Sequence, residues 1–496
     1  MEIQQIIGYR NAPPKGENFT GHDMLHRETL SFPDAAPEEI EAAVSLAGEA
    51  FGYYRKFSSL QRAEFLEAIA GGIEALGDEL LRLVHEETSL PLARLAGERS
   101  RTTGQLRMFA RLLRDEKWNP EITDEALPDR KPAPKPRLEQ KLVALGPVAV
   151  FGASNFPLAF SVAGGDTASA FAAGCPVVFK AHPAHPATCQ LIGSVIAACA
   201  RQCGLPEGVF ALLHGRSQQT GSSLVTHPQI RAVAFTGSFK GGKALYDLAV
   251  RRPEPIPVYA EMGSVNPVFF LPGALNGPAE ALAQKLAQSV TLGSGQFCTN
   301  PGVCVFIDSP QSRRFTEELA MALSACNLHP MLTEQIAGSY IEGSRKQEAL
   351  KGAEQLVAIK ENKIHPHLVR VSAKYALKDP GYFEEVFGPS TVAVMTESFE
   401  EMLRLAAGMP GQLTATVHAS EKDFTDAREL IDQLVLKAGR LILNEFPTGV
   451  EVSPAMVHGG PFPATTDSRS TSVGTGSIYR FLRPVCFQNM PSSLIP

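Results

Sequence analysis

The sequence lacks the features that mark secreted, membrane-spanning and nucleic-acid-binding proteins. Its first ten residues carry an acid at position 2 and no extended apolar run, which argues against a secretory signal. The most apolar stretch, 142–151, is too short and too glycine-rich to cross a bilayer. The formal net charge is -6 and the pI about 6.1, so we expect neither nucleic acid nor a membrane as a partner.

Cysteine is sparse and follows no pattern. Eight cysteines are spread over 496 residues without a repeated spacing, which predicts neither a disulfide framework nor a metal-binding motif. Cys175, Cys189 and Cys199 lie among small apolar residues, where a reduced thiol packs as a small hydrophobic group. We therefore expect a cytoplasmic protein without a bound metal.

The sequence does contain the alternation of strand and helix patterns that is typical of α/β proteins. Helical patterns run from Pro37 to about Leu113, and a proline-rich connector follows at 129–137. Beyond it, short β-branched runs alternate with helices in two blocks, the second starting near Pro255. Strands are predicted at 141–150, 177–180, 209–212, 232–236, 268–270, 303–307, 391–395, 414–418 and 441–443. This spacing predicts parallel βαβ units in two lobes with a ligand-binding cleft between them.

Three side chains with catalytic potential follow predicted strands or helices. Cys298 comes after a helical pattern and a glycine-rich turn, so its sulfur can face a cleft. Glu261 ends an apolar strand, where poor solvation is expected to raise its pKa toward neutrality and make it a general base. Asn155 follows a buried strand, and its amide could donate to a developing oxyanion or simply close a turn. Taken singly, Cys298 could equally be structural and Glu261 salt-bridged.

Gly237, Ser238 and Gly241 lie where a predicted strand leads into a helix. Free N–H groups at such a helix start suit a phosphate group. The segment is not the G-x-G-x-x-G fingerprint, so by itself it indicates a dinucleotide only weakly.

Taken together, these segments resemble the aldehyde dehydrogenase superfamily over nearly the whole chain. The resemblance rests on Asn155, Lys180, Gly237, Glu261, Cys298 and the segment Glu-Glu-Val-Phe-Gly-Pro at 384–389, in this order and at similar intervals. It implies an α/β fold with two doubly wound, Rossmann-like parallel sheets and a β-arm for assembly into homodimers or homotetramers. The implied domains are a nucleotide-binding domain (1–127 and 147–257), a catalytic domain (258–445), an oligomerisation arm (128–146 and 478–496) and a substrate-site loop (446–477).

The resemblance also implies a mechanism. Cys298 would attack the aldehyde carbon to form a thiohemiacetal, whose oxyanion is held by Asn155 and the Cys298 N–H. Hydride transfer to the nicotinamide would leave a thioester, which Glu261 hydrolyses by activating water. Because Cys298 is predicted to follow a helix rather than begin one, the helix dipole should not help to form its thiolate. Cys304 is expected to pack inside the next strand.

The family's cofactor residues can be carried over in the same way. Lys180 matches the lysine that contacts the adenosine ribose. NAD-preferring members usually carry a glutamate three residues later, and here that position is Pro183, next to His182. The missing carboxylate leaves room for a 2′-phosphate, which favours NADP over NAD. Glu385 and Phe387 match the residues that hold the nicotinamide ribose and ring.

The tail from 446 to 477 is similar to the branch that oxidises α-ketoglutarate semialdehyde (2,5-dioxopentanoate) to 2-oxoglutarate, and Phe297 beside Cys298 is compatible with it. A long-chain aliphatic aldehyde dehydrogenase is the alternative. A catalytically inactive homologue and a CoA-acylating enzyme are further alternatives, but the presence of both Cys298 and Glu261 argues against them.

An anionic substrate calls for an arginine near the site. We expect Arg107 or Arg469 to bind its carboxylate, with Phe156 beside Asn155 lining the pocket. Arg101 and Arg111 lie in the same helical region as Arg107 and are interpreted as part of a solvated face.

Overall fold

The computed structural model describes residues 4–12, 15–22, 29–115, 118–119, 121–360 and 363–495. Within these residues the chain forms two seven-stranded sheets, one three-stranded sheet and one two-stranded sheet, with helices between the strands. The predicted α/β class with two Rossmann-like sheets is confirmed.

The strands are β1 (Gln5–Ile7), β2 (Arg10–Ala12), β3 (Asn18–His22), β4 (Thr29–Pro33), β5 (Ile122–Asp124), β6 (Leu138–Ala144), β7 (Val148–Phe151), β8 (Val177–Lys180), β9 (Phe210–Leu213), β10 (Ala232–Thr236), β11 (Val258–Glu261), β12 (Val268–Phe270), β13 (Val303–Ile307), β14 (Glu354–Val357), β15 (His367–Ser372), β16 (Ser390–Thr396), β17 (Gln412–His418), β18 (Ala438–Leu443) and β19 (Leu482–Gln488).

The helices are α1 (Pro37–Tyr54), α2 (Ser59–Ala75), α3 (Gly77–Thr88), α4 (Leu92–Arg114), α5 (Gly165–Ala173), α6 (Pro186–Gln202), α7 (Gln218–Thr226), α8 (Phe239–Val250), α9 (Ala279–Thr291), α10 (Pro310–Ser324), α11 (Glu334–Glu348), α12 (Ala373–Ala376), α13 (Phe399–Gly408) and α14 (Phe424–Leu434). Among the described residues, no helix is both long enough and apolar enough to cross a membrane.

The first sheet has the order β11-β10-β7-β8-β9-β1-β2, and the neighbours from β11 to β9 are parallel. Along β7, Val148 and Val150 pack into one hydrophobic cluster, whereas Ala149 and Phe151 pack into another. Because successive strand residues point to opposite faces, helices cover both sides of this sheet. All of its parallel strands end at one edge, which is where ligands bind in such folds.

The second sheet has the order β14-β15-β16-β13-β12-β17-β18 and is parallel except for β14. Along β13, Val303 and Val305 face one cluster while Cys304 and Phe306 face the other. Cys304 is fully buried in this strand, as predicted.

Two sequence-based boundaries were wrong. The run predicted as one strand at 141–150 forms two strands in different sheets, because Gly146 adopts a φ of 135° and Pro147 follows it. In addition, β11, which we assigned to the second block, pairs with β10 and belongs to the first sheet. The second sheet therefore starts only after Glu261.

The third sheet, β19-β6-β5, joins the C-terminal strand to the chain around the proline-rich connector. Just before β19, Arg480 places Nη2 2.6 Å from Oδ1 of Asp166 at the start of α5, and both side chains are buried. This ion pair attaches the end of the chain to the first lobe.

The tail loop 446–477 runs along the edge of β11. Met262 N–H donates to the Ala464 carbonyl at 2.8 Å, and Glu261 forms an isolated bridge with Thr465. The predicted long loop is thus tied to the strand that ends in Glu261.

Candidate active site

The carboxyl edge of the first sheet gathers four of the predicted site segments. Asn155 follows β7, Lys180 ends β8, Gly237 follows β10 and Glu261 ends β11. These strands are parallel neighbours, so their ends lie side by side. Residues that are far apart in sequence therefore share one cleft.

Cys298 lies in a turn, as predicted. It follows a 3-10 helix, Leu292–Gly295, in which Gly293, Ser294 and Gly295 all have positive φ values (57°, 56° and 69°). A Cβ at Gly295 would lie 2.2 Å from the carbonyl carbon of Gly388, so only glycine permits this close approach. The turn thus leads the chain from α9 to a half-buried thiol.

Two asparagines hold this turn. The Asn266 amide donates to the Cys298 carbonyl at 2.8 Å and to the Asn300 carbonyl at 2.9 Å. The Asn155 amide donates to the Gln296 carbonyl at 2.9 Å, and its side chain is buried. An amide nitrogen carries two N–H groups, so Asn155 keeps one for a ligand oxygen.

Glu261 lies at the centre of a buried cluster. Its Oε1 is 2.8 Å from Nε2 of His458, and its Oε2 accepts a hydrogen bond of 2.7 Å from Ser472. The same His458 nitrogen lies 3.5 Å from Sγ of Cys298. Thiol, imidazole and carboxylate therefore converge where the tail loop meets the two sheets.

The charge states of this cluster differ from the sequence-based expectation. Burial alone would raise the pKa of Glu261, but the adjacent His458, together with hydrogen bonds from Ser472 and Cys298, outweighs it and lowers the pKa. The prediction of a raised pKa for Glu261 was therefore wrong. For the Cys298 thiol, burial first and the nearby Glu261 charge second raise the pKa well above its ordinary value. At neutral pH the cluster thus combines a protonated thiol with an ionised carboxylate.

The ligand atoms of Glu261, Cys298 and His458 all lie within 4.8 Å of one another, a spacing that a metal ion could bridge. The sequence predicts no metal here. Thiol, imidazole and carboxylate are also the groups that perform nucleophilic and proton-transfer chemistry without one.

The predicted adenosine-side residues lie around the end of β8. Burial lowers the pKa of Lys180 to about 8. The His182 ring stacks on His185 at 5.3 Å, and burial together with the His185 and Lys180 charges keeps the His182 pKa well below its usual value. Lys180, His182 and Pro183 are all half-buried. Lys180 is therefore the main positive charge that this corner offers to an anion.

Gly237, Ser238 and Gly241 form the entry to α8. Ser238 Oγ caps the helix by accepting from the Gly241 N–H at 3.2 Å, so that N–H group is already satisfied. A Cβ at Gly237 or Gly241 would lie 2.7 or 3.0 Å from the Phe235 ring. The glycines thus let the helix start close to the sheet.

On the other side of the cleft, Glu385, Phe387 and Phe297 line one cavity together with Gly295 and Asn300. The Glu385 carboxylate approaches Gly263, where a Cβ would lie 2.3 Å from Oε2. Although Glu385 is exposed as a residue, the protein atoms around its carboxylate group desolvate it and raise its pKa to about 7. The two predicted nicotinamide-side residues therefore share a cavity with a neighbour of Cys298.

Neither arginine proposed for the substrate lies in the site. Arg107 points to the surface, where it binds Glu74 through two hydrogen bonds of 2.6 and 2.7 Å. The Arg469 side chain is 88% exposed and pairs with Asp467. Each has a local acid that explains its position, so these two predictions were wrong.

Other arginines do approach the site. Arg94 lies over the rings of Phe156 and Phe297, at 5.1 and 5.0 Å, and donates to the Asn155 carbonyl at 2.7 Å. Arg101 lies over the Phe160 ring at 5.5 Å. The interpretation of Arg101 as part of a solvated face was wrong. The predicted pocket residues Phe156 and Phe297 do meet, edge to face, with centroids 5.3 Å apart.

Sequence reasoning missed His458, Ser472, Asn266 and Arg101. His458 and Ser472 belong to an irregular loop, where no periodicity marks the side that faces the site. Asn266 offered one signal, since it follows Glu261 closely and an asparagine tolerates its φ of 46°.

Two doubly wound sheets with a cysteine, a carboxylate and an imidazole between them define a two-lobed α/β enzyme with a thiol centre. Residues 22–461 match the model of the aldehyde dehydrogenase family. The chain belongs to the aldehyde dehydrogenase family, whose members oxidise aldehydes with NAD or NADP.

Individual relatives agree with this assignment. The chain is 50% identical to alpha-ketoglutaric semialdehyde dehydrogenase 2 of Azospirillum brasilense, over 99% of this chain and 95% of that one. It is 46% identical to alpha-ketoglutaric semialdehyde dehydrogenase of Acinetobacter baylyi, over 99% of this chain and 94% of that one. A solved betaine aldehyde dehydrogenase from Staphylococcus aureus, in complex with NAD+, superimposes with a TM-score of 0.82 at 20% identity, over 99% and 96%, and supports the fold alone.

Proposed function

We propose that this enzyme oxidises α-ketoglutarate semialdehyde (2,5-dioxopentanoate) to 2-oxoglutarate. The observation that carries the proposal is the 50% identity to an enzyme named for this substrate, over 99% of this chain. Neither of the two similar relatives is named for a fatty aldehyde, so the long-chain alternative is not favoured.

In the proposed mechanism, Cys298 is the nucleophile. Its sulfur forms a bond to the aldehyde carbon, and the carbonyl oxygen becomes an oxyanion. The free N–H of Asn155 and the backbone N–H of Cys298 donate to that oxygen. Since Asn266 and Asn155 both bond to the loop around Cys298, the nucleophile and the oxyanion donors are held in fixed relation.

Glu261 carries out the proton transfers, and His458 positions it. The thiol proton must leave as the C–S bond forms, and its acceptor is the ionised Glu261, to which the Cys298 thiol donates a hydrogen bond. Glu261 must release this proton to solvent before the second half-reaction. In the second half-reaction Glu261 takes a proton from water, which attacks the thioester carbon and releases the acid and the thiol. Ser472 and His458 orient the carboxylate for both tasks.

The residues at both ends of the cleft fit a nicotinamide dinucleotide, which supplies the hydride acceptor when bound. Lys180, His182 and Pro183 with Gly237, Ser238 and Gly241 would hold the adenosine and phosphate end. Glu385 and Phe387 would hold the nicotinamide end. We propose NADP as the preferred cofactor over NAD, because Lys180 lacks a neighbouring glutamate at 183 and offers its charge to a 2′-phosphate.

We further propose a nucleotide-binding domain (1–127 and 147–261, extended past 257 because β11 belongs to the first sheet), a catalytic domain (262–445), a substrate-site loop (446–477) and an oligomerisation arm (128–146 and 478–496) that forms homodimers or homotetramers. Two open sheet edges support assembly. β18 ends its sheet with Leu441 and Leu443 exposed, and β19 ends the three-stranded sheet. All eight cysteines are free, which fits the reducing cytoplasm as the location.

Steady-state kinetics test this proposal. We expect kcat/KM for 2,5-dioxopentanoate to exceed that for decanal by at least 100-fold, with NADP giving the higher value of the two cofactors. A preference for decanal would overturn the substrate assignment, and a preference for NAD would overturn only the cofactor choice.

A further inference from the structure

We propose that Arg101 forms a binding subsite for the carboxylate of the aldehyde substrate. The inference rests on the proposed function, because only an aldehyde with a distant carboxylate needs such a group. The subsite lies on α4, beside Phe160 and against Val450 of the tail loop.

The bonding of the guanidinium carries this proposal. Nη1 of Arg101 donates to the Val450 carbonyl at 2.8 Å. Its Nε and Nη2 are buried, and neither has a hydrogen-bond partner in the part of the chain that the structure describes. Burying a hydrogen-bond donor without an acceptor costs free energy, and the cost is higher when the donor belongs to a charged group. The two vacant donors of the Arg101 guanidinium therefore point to an anion as the missing partner.

Other arginines of this chain bind carboxylates through Nε and Nη2, the two nitrogens that are vacant in Arg101. Arg370 donates from Nε and Nη2 to the two oxygens of Glu354, at 2.8 and 2.7 Å. Arg313 uses the same two atoms on Asp308, at 2.7 Å each. In Arg101 this pair of donors is vacant while Nη1 is fixed, so the residue is oriented for one bidentate carboxylate.

No acid in the described part of the chain takes that role. Glu98, one turn earlier on α4, directs Oε1 to the N–H groups of Leu158 and Ala159, at 2.8 and 3.0 Å. Burial raises the pKa of Glu98. Burial likewise lowers the pKa of Arg101, and Cys298 and Glu98 are the first groups that oppose this effect, so the guanidinium lies near the reacting centre.

The neighbouring arginines have fewer vacant hydrogen-bond donors than Arg101. Arg94 donates to the Asn155 carbonyl from Nη2, and Nη1 is its one nitrogen that is both buried and without a partner among the described residues. Arg440 donates to the carbonyls of Pro447 and Gly449, leaving only Nε. Neither presents two adjacent donors, so these residues hold loops while Arg101 can bind a carboxylate bidentately.

Phe160 connects Arg101 with the reacting cluster. The Phe160 ring contacts both groups: the Arg101 guanidinium at 5.5 Å and the His458 ring at 6.3 Å. His458 in turn lies 3.5 Å from the Cys298 sulfur. An extended five-carbon keto-aldehyde spans roughly 5 Å between its terminal carbons, because each of its four bonds of about 1.5 Å advances the zigzag chain by only about 1.25 Å. In the proposed pose this molecule lies along Phe160, with its aldehyde toward Cys298 and its carboxylate toward Arg101.

Arg101→Gln tests the subsite, with Arg107→Gln as the matched control on the exposed face of the same helix. We expect Arg101→Gln to lower kcat/KM for 2,5-dioxopentanoate by at least 100-fold and that for pentanal by less than threefold. For Arg101→Lys, kcat/KM for 2,5-dioxopentanoate should lie between the values of the wild type and Arg101→Gln, because lysine keeps the charge but not the bidentate geometry. Arg107→Gln should match the wild type. Equal losses on both aldehydes in Arg101→Gln and Arg101→Lys would show a structural role and overturn the proposal.

Inhibition by 2-oxoglutarate separates this proposal from the proposed function. With pentanal as substrate, we expect 2-oxoglutarate to inhibit the wild type competitively and Arg101→Gln at least 20-fold more weakly. If the wild type prefers decanal but this inhibition depends on Arg101, the substrate assignment fails and the subsite stands. If the wild type prefers 2,5-dioxopentanoate and the inhibition is unchanged in Arg101→Gln, the subsite fails alone.

Discussion

Oε1 of Glu261 lies 2.8 Å from Nε2 of His458, and both side chains are almost completely buried. This contact reverses the effect that burial would have on the carboxylate and keeps Glu261 ionised at neutral pH. The carboxylate in turn disfavours the thiolate of Cys298. The protonation states of Glu261 and Cys298 are therefore coupled.

The reactivity of the thiol should increase when Glu261 loses its charge. In Glu261→Gln the Cys298 pKa should fall, because a negative neighbour that stabilises the protonated thiol is gone. Alkylation of Cys298 by iodoacetamide at pH 7.5 should then be faster than in the wild type, measured by mass spectrometry without cofactor. Slower alkylation would contradict this expectation and would mean that proton acceptance by Glu261 outweighs the effect of its charge on the Cys298 pKa.

The second half-reaction should stop in the same variant. With Glu261→Gln, we expect one equivalent of reduced cofactor per active site, followed by turnover slowed at least about 100-fold, because water is no longer deprotonated. Rapid-mixing absorbance at 340 nm measures both phases. Glu384→Gln is the control, since Glu384 is exposed and pairs with Lys346. Unimpaired steady turnover in Glu261→Gln would exclude the base role.

Removing His458 should shift the pH dependence. In His458→Gln, burial of Glu261 is no longer opposed by the imidazole, so the Glu261 pKa should rise. The acid limb of the kcat profile should therefore move toward neutral pH, whereas the wild type should stay active at lower pH. An unchanged acid limb, with only an overall loss of rate, would contradict this coupling.

Cys298→Ala should abolish aldehyde oxidation while leaving cofactor binding intact. We expect a loss of at least about four orders of magnitude in kcat, because no other described thiol lies in the Glu261–His458 cluster. Cys326→Ala, a half-buried cysteine at the end of α10, is the control and should keep full activity. Cofactor binding can be followed by fluorescence titration. Full activity of Cys298→Ala would refute the nucleophile assignment.

The proposed preference for NADP over NAD should weaken as the pH rises. Burial lowers the pKa of Lys180 to about 8, so its positive charge is present below that pH and lost above it. The KM for NADP should increase relative to that for NAD between pH 7 and 9. Lys180→Arg keeps its charge over this range and should remove the change. A constant ratio in the wild type would show that Lys180 does not contact the 2′-phosphate.

Local sequence patterns predicted most of the fold because they arise from local physics. The predicted strand at 177–180 coincides with β8, and the helix predicted from Pro37 begins there, with acids in its first turn. The run at 141–150 misled because hydrophobicity alone does not reveal that Gly146 turns the chain into a second sheet.

The substrate end of the site could not be predicted in the same way. Arg101 and Arg107 lie six positions apart on α4, and at about 100° per residue they face different directions. The sequence does not mark which of these faces looks into the cleft. Similarly, His458 is separated from Cys298 by 160 positions, and only the folded tail loop brings them together.

The tail loop also bears on how such an enzyme could be re-engineered. The Val450 carbonyl accepts a hydrogen bond from Arg101. Farther along the same loop, His458 and Ser472 bind the Glu261 carboxylate. If Arg101 and Glu261 act as proposed, we expect a graft of 446–477 from another enzyme to alter substrate choice and thioester hydrolysis together. A change in this loop that suits one of the two functions would then also have to suit the other.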